Sequence, residues 1–169
     1  RLRRNDPMSE CRDKLFSPIK LSGLELRNRV IRAATFEGMC RNGYPSEGLI
    51  DLHRRVALGG VAMTTVAYCA VEADGRLKEE MMYMHEAIRP QLVHLTRGVH
   101  EAGAKISGQM GHCGNFSQNR SFQGKRPLGP SCMINTSGIP FGLPFADAMT
   151  HADIDRVVRC FHDAADFMK

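Results

Sequence analysis

Apolar residues recur along this chain with two different periods, and the switches between them mark out its elements. Ile19 and Leu21 alternate with polar residues, as do Leu24 and Leu26. Ser22-Gly23 between the two pairs is a turn signal, so residues 15–30 predict a small hairpin. Residues 29–35 (RVIRAAT) predict a short strand, and residues 36–45 a loop holding Asn42-Gly43 and Pro45. Ser46 then suits the N-cap of a helix whose stripe is Leu49, Leu52 and Val56 and whose stop is Gly59-Gly60. Residues 61–69 (VAMTTVAYC) form a β-rich run of strand length, followed by a charged loop over 70–86. Ile88, Leu92, Leu95, Val99 and Ala102 make the cleanest helical stripe, with Pro90 in the first turn and Gly103 at the end. A third strand covers residues 104–110. Residues 111–149, rich in Gly, Pro, Ser and Asn, predict a long loop of a kind that is usually functional or disordered. Thr150 with Asp153 resembles a capping box for a last helix, and Ile154, Val157, Val158, Phe161, Ala165 and Met168 supply its expected buried face.

The order is hairpin, β, α, β, α, β, long loop, α. Such alternation implies an α/β fold of parallel strands joined by right-handed crossovers. Residues 1–14 are expected to be an N-terminal extension and residues 15–169 the folded unit. The loops after the strands hold the unusual residues, while those after the helices are short and glycine-based. A (β/α) barrel and a doubly wound sheet both place function at the strand carboxyl ends. The opening hairpin suits a barrel floor.

The chain has 169 residues, 43% hydrophobic and 24% charged, ordinary values for one globular domain. No apolar run approaches the ~20 residues of a membrane span. The net charge of +5 is spread along the chain apart from Arg1, Arg3 and Arg4, which argues against nucleic-acid binding and fits an anionic small ligand equally well. Residues 1–7 lack the apolar core of a secretory signal. Six widely spaced cysteines without a C-x-x-C pair argue against a zinc module or a disulfide scaffold, and point to reduced thiols in a cytoplasmic protein.

The chemistry concentrates in residues 104–114, AKISGQMGHCG, where a strand breaks into polar residues and glycines. Gln109 offers a donor and an acceptor there, and glycine lets backbone approach a planar ligand. His112-Cys113 carries neither metal-ligand spacing nor a third group to orient a nucleophile, so His112 is read as a loop histidine supporting a ligand pocket. Glu37 and Glu47 are read as solvated or helix-start charges. Arg29 and Arg32 could reach a phosphate, but Arg29 lies at the amino end of its strand, away from the ligand face, which favours a structural ion pair; Met81, Met82 and Met84 are read as core filling.

Four stretches taken in order resemble the old yellow enzyme family of FMN-dependent NAD(P)H:flavin oxidoreductases: LFSPIKLSGLELRNRVIRAAT (15–35), GYPSEGLIDLHRRVALGGVAMTTVAY (43–68), HEAGAKISGQMGHCGN (100–115) and RPLGPSCM (126–133). The resemblance implies the N-terminal portion of an eight-stranded (β/α)8 TIM barrel with FMN at its carboxyl face. It implies that Ala33, Ala34, Thr35 and Phe36 lie against the flavin, that Tyr68 borders the ring, and that Gln109 hydrogen-bonds its pyrimidine side. Two residues depart from the family pattern. Phe36 stands where many members place a hydroxyl or thiol that tunes the flavin, and Tyr68 where Ala or Gly is usual. A full barrel needs about 250 residues. The family's substrate-binding His pair, its proton-donating Tyr and its phosphate loops are therefore expected beyond Lys169, with no catalytic residue inside this chain. The implied activity is hydride transfer from NADH or NADPH through FMN to an activated alkene or similar small electrophile, with room for a homo-oligomer in the full-length form. The alternative is a truncated, catalytically inactive fragment. A metal-dependent barrel hydrolase is disfavoured, since no His/Asp/Glu ligand set sits at the strand ends.

Overall fold

The computed structural model describes residues 7–122 and 125–169. Helix α1 (Pro7–Leu15) occupies part of the segment expected to be an extension; Arg1, Arg3 and Arg4 lie outside the described residues. Strands β1 (Ile19–Leu21) and β2 (Leu24–Leu26) form the expected antiparallel hairpin. Ser22 and Gly23 turn it with φ of 44° and 91°, the pair of positive values a tight two-residue turn requires. Then follow β3 (Ile31–Arg32), β4 (Cys40–Arg41), β5 (Tyr44–Pro45) and α2 (Glu47–Leu58). After these come β6 (Met63–Ala70), β7 (Met82–Tyr83), α3 (Arg89–Glu101) and β8 (Lys105–Gly111). The chain closes with β9 (Leu128–Gly129), β10 (Met133–Ile134), β11 (Phe145–Ala148) and α4 (His151–Phe167).

The central strand is β6. It pairs in parallel with β3 on one side and β8 on the other, and β7 joins near its carboxyl end. Helices α2 and α3 cover one face, burying Leu49, Ile50, Ala57, Ile88, Leu95 and Val99 against Val66 and Cys69. Met82 and Met84 fill the same core, and Met81 is buried too. Ser46 caps α2 by accepting the Leu49 N–H, and Thr150 and Asp153 form the full capping box of α4. At the amino ends of the strands, Arg27 donates to the carbonyls of Ala57, Val61 and Ala102. One cation thereby satisfies the closing ends of two helices.

Five sequence expectations change, the first being that the loop expected over 70–86 contains β7, paired with the end of β6. The strand expected over 29–35 shrinks to two residues, because Asn28 Oδ1 takes the Val30 N–H at one end and residues 33–35 leave the ladder at the other. Residues 36–45 are not wholly loop: β4 and β5 pair across Asn42-Gly43, whose φ values of 51° and 84° make a second tight hairpin. The long segment 111–149 carries a small sheet in the order β10-β11-β9 between 3₁₀ turns. The expected buried face of α4 is misphased. Ile154, Val158, Phe161 and Met168 are exposed, and Cys160, Ala164 and Phe167 meet the core instead.

Candidate active site at the strand carboxyl ends

Paired residues of parallel strands project to the same face. Ile31, Met63 and Lys105 stand in one rank, and Thr65 and Ser107 in the next but one, their hydroxyls 2.9 Å apart. The residues of this face are exposed or half-buried. The intervening residues Thr64, Val66 and Ile106 turn toward α2 and α3. Toward the carboxyl ends, Gln109 continues the alternation of β8 and is exposed, as are Ala33 and Thr35 after β3. Ala34 is half-buried. Phe36 and Tyr68 are stacked, with ring centroids 5.8 Å apart and planes 12° apart. The structure thus brings the six predicted residues to one end of one sheet.

Just beneath Phe36 lies a polar cluster that sequence reasoning missed. Glu37, read as a solvated charge, has a side chain only 3% exposed. Its Oε1 accepts from Arg32 at 2.9 Å and its Oε2 from the Ala67 N–H at 3.2 Å. His53 of α2, fully buried, points Nε2 at Glu37 Oε1 from 3.4 Å and has Nδ1 2.8 Å from the Thr64 hydroxyl. The facing carboxylate favours the proton on Nε2, so Thr64 donates to Nδ1. A Thr-His-Glu series suggests a nucleophile, but Thr64 is fully buried and reaches no substrate. Burial raises the Glu37 carboxyl, and the hydrogen bonds from His53, Ala67 and Arg32 outweigh it, leaving the group below its ordinary range. Glu47, by contrast, is solvated as expected.

A second cluster lies at the ends of β6 and β8. His112 Nδ1 accepts the Gly114 N–H, so Nε2 carries the proton and donates to Glu72 Oε1 at 2.9 Å. Arg156 of α4 donates to the other oxygen of Glu72. The His112 hydrogen bond, helped by Arg156 against burial, holds the Glu72 carboxyl down at about 2. His112 is therefore a buttress between loop and helix. Neighbouring Cys113 has its thiol pushed up by burial, and Cys40 and Cys69 are pushed up to about 11 and about 12, mainly by burial. All six cysteines are free, and these three are poor nucleophiles. No helix among the described residues is long and apolar enough to cross a membrane.

Comparison with known proteins matches residues 14–168 to the family described as NADH:flavin oxidoreductase / NADH oxidase. The chain belongs to that family. A 4,4'-dithiodibutanoate disulfide reductase of Rhodococcus erythropolis is 41% identical over 151 residues, 89% of this chain and 36% of the relative. An NADPH dehydrogenase of Geobacillus thermodenitrificans is 29% identical over 89% of this chain and 43% of its own length. Old Yellow Enzyme from Pichia sp. AKU4542 superimposes with a TM-score of 0.81 at 18% identity, over 91% of this chain and 42% of that one. The chain spans less than half the length of these relatives, and its fold is a part of their (β/α) barrel rather than a closed one.

Members of the NADH:flavin oxidoreductase / NADH oxidase family use FMN with a nicotinamide electron donor. The donor set here fits an isoalloxazine. Gln109 supplies an exposed amide with both a donor and an acceptor, and engages no partner among the described residues. Ala33 is exposed and small, and a side chain added at Gly111 would meet nothing within 4 Å, which leaves room for a flat ring.

Proposed function

We propose that this chain is the flavin-contacting part of an FMN-dependent oxidoreductase of the old yellow enzyme type. In the whole enzyme, hydride passes from NADH or NADPH to an activated alkene or a similar small electrophile. The observation that carries the reading is the exposed amide of Gln109 at the carboxyl end of β8, in the alternation of Lys105 and Ser107, with Ala33 and Thr35 exposed where the chain leaves β3. When bound, FMN accepts the hydride and hands it on, chemistry no side chain here supplies. The chain's own residues bind and orient. Gln109 matches the alternating donors and acceptors of a pyrimidine edge, and Ala33 and Ala34 let backbone lie close to a ring. Phe36 and Tyr68 form an apolar wall that keeps water from one side. A second reading, an inactive partial copy, draws support from the partly exposed sheet face: the chain then binds FMN and turns over nothing by itself.

FMN fluorescence quenching tests the first reading. Wild type should bind, and Gln109→Leu should weaken Kd by about tenfold, the cost of leaving flavin polar atoms unpaired. Melting should be unchanged, since Gln109 is exposed. Equal Kd values would refute the role of Gln109, and absent binding by wild type would refute the flavin reading. Enone reduction with NADPH by this chain alone would eliminate the inactive copy.

A further inference from the structure

β3 and β6 pair at only two positions, Ile31 with Met63 and Arg32 with Thr64. Beyond them the ladder stops, yet Phe36 and Tyr68 are stacked further along. One residue closes the gap. Glu37 donates its backbone N–H to the Ala67 carbonyl at 3.4 Å and accepts the Ala67 N–H on its carboxylate. Both polar groups of Ala67 are thus held by a single residue of the neighbouring segment, side chain replacing the missing strand carbonyl. The carboxylate is itself held from two more directions, by Arg32, which also donates to the Thr65 carbonyl, and by His53, which Thr64 orients.

Resting on the flavin reading above, we propose that Glu37 is the positioning residue of the site: by gripping Ala67 through backbone and carboxylate, it locks Thr35 and Phe36 onto Ala67 and Tyr68 as one rigid surface for the flavin. The pattern is specific to a carboxylate. Oε1 and Oε2 both accept, so an amide at this position turns an N–H toward a donor. The charged or titratable groups facing it are Arg32 from β3, His53 from α2, and the thiols of Cys40 in β4 and Cys69 in β6.

The test compares wild type, Glu37→Gln and Arg32→Met by amide hydrogen exchange without ligand, then by FMN titration. Glu37→Gln should speed exchange of the Ala67 amide by about tenfold or more, as loss of a charge-assisted hydrogen bond does, with α2 core amides unchanged. Arg32→Met removes the balancing charge but leaves the grip, so Ala67 should stay protected. The Kd for FMN should weaken about tenfold in Glu37→Gln, in line with that lost hydrogen bond. Protection of Ala67 unaltered in Glu37→Gln overturns the proposal, and so does lost protection with an unchanged Kd. Wild type that fails to bind FMN overturns the flavin reading instead, while the exchange result still decides the grip. If Glu37→Gln does not fold, the wild-type Ala67 amide resonance serves. It should move on acidification with a midpoint below the usual carboxylate value, and a resonance that stays still overturns the proposal.

Discussion

Glu72 ties the end of β6 to the end of β8 through His112 and to α4 through Arg156. Replacing it with Gln keeps the shape and removes the charge. Lowering a carboxyl from 4.5 to about 2 corresponds to at most about 3 kcal/mol of native-state stabilisation. The Glu72 side chain is 17% exposed but that of Arg156 is 35% exposed, so solvent screening reduces the expected loss to about 1–2 kcal/mol. For a chain of this size that means a fall in melting temperature of roughly 2–8 °C at pH 7. The sign follows from linkage. A carboxyl lower in the folded than in the unfolded state stabilises fully above its unfolded value, and that contribution drains away as pH falls from 4.5 toward about 2. The gap between wild type and Glu72→Gln, read by circular dichroism melts from pH 7 downward, should therefore close across this window. Equal melting temperatures at pH 7, or a gap that persists undiminished near pH 2, would refute the assignment of Glu72 as the ionised hub.

Two further variants probe the frame. Thr150→Ala removes the hydroxyl's two hydrogen bonds in the α4 capping box, leaving the backbone N–H arm to Asp153, and should cost about 1 kcal/mol, a drop in melting temperature of roughly 2–4 °C; an unchanged melt would refute a capping role for that hydroxyl. Val158→Asp, on the exposed face of α4, should alter chemical-denaturation stability by less than about 0.5 kcal/mol. A larger loss would mean that this face is covered.

What the sequence made legible was local. Ser46 and the Thr150–Asp153 pair announce helix starts because a cap and its N–H are three residues apart. The Ile88–Ala102 stripe announces a helix packed on one side because its period is unbroken. The carboxyl-end position of Gln109 was legible where AKIS breaks into polar residues and glycines, while the ranks of β6 and β8 come from the register. The ion pair expected near Arg29 forms at Arg32 instead, and its partner Glu37 was hidden, since Ala67 and His53 come from distant elements and a lone carboxylate after a strand looks solvated. Glu72 and Arg156 are 84 positions apart, and no pattern in the chain joins them. The small sheet of β9 to β11 escaped because its strands are two to four residues long, too short to show a period. The phase of α4 was misjudged because apolar residues at 154, 157, 158, 160, 161, 164 and 165 cover more than half its circumference.

Among the described residues, β8 pairs only with β6. Its far edge, seven residues long, presents a row of unsatisfied backbone donors and acceptors, and only Lys105 at its start carries the kind of charge that discourages pairing. Such an edge is a template: any extended backbone that reaches it gains hydrogen bonds at once. Where that edge meets another extended backbone the pairing is bimolecular, so its extent rises with concentration and falls on dilution.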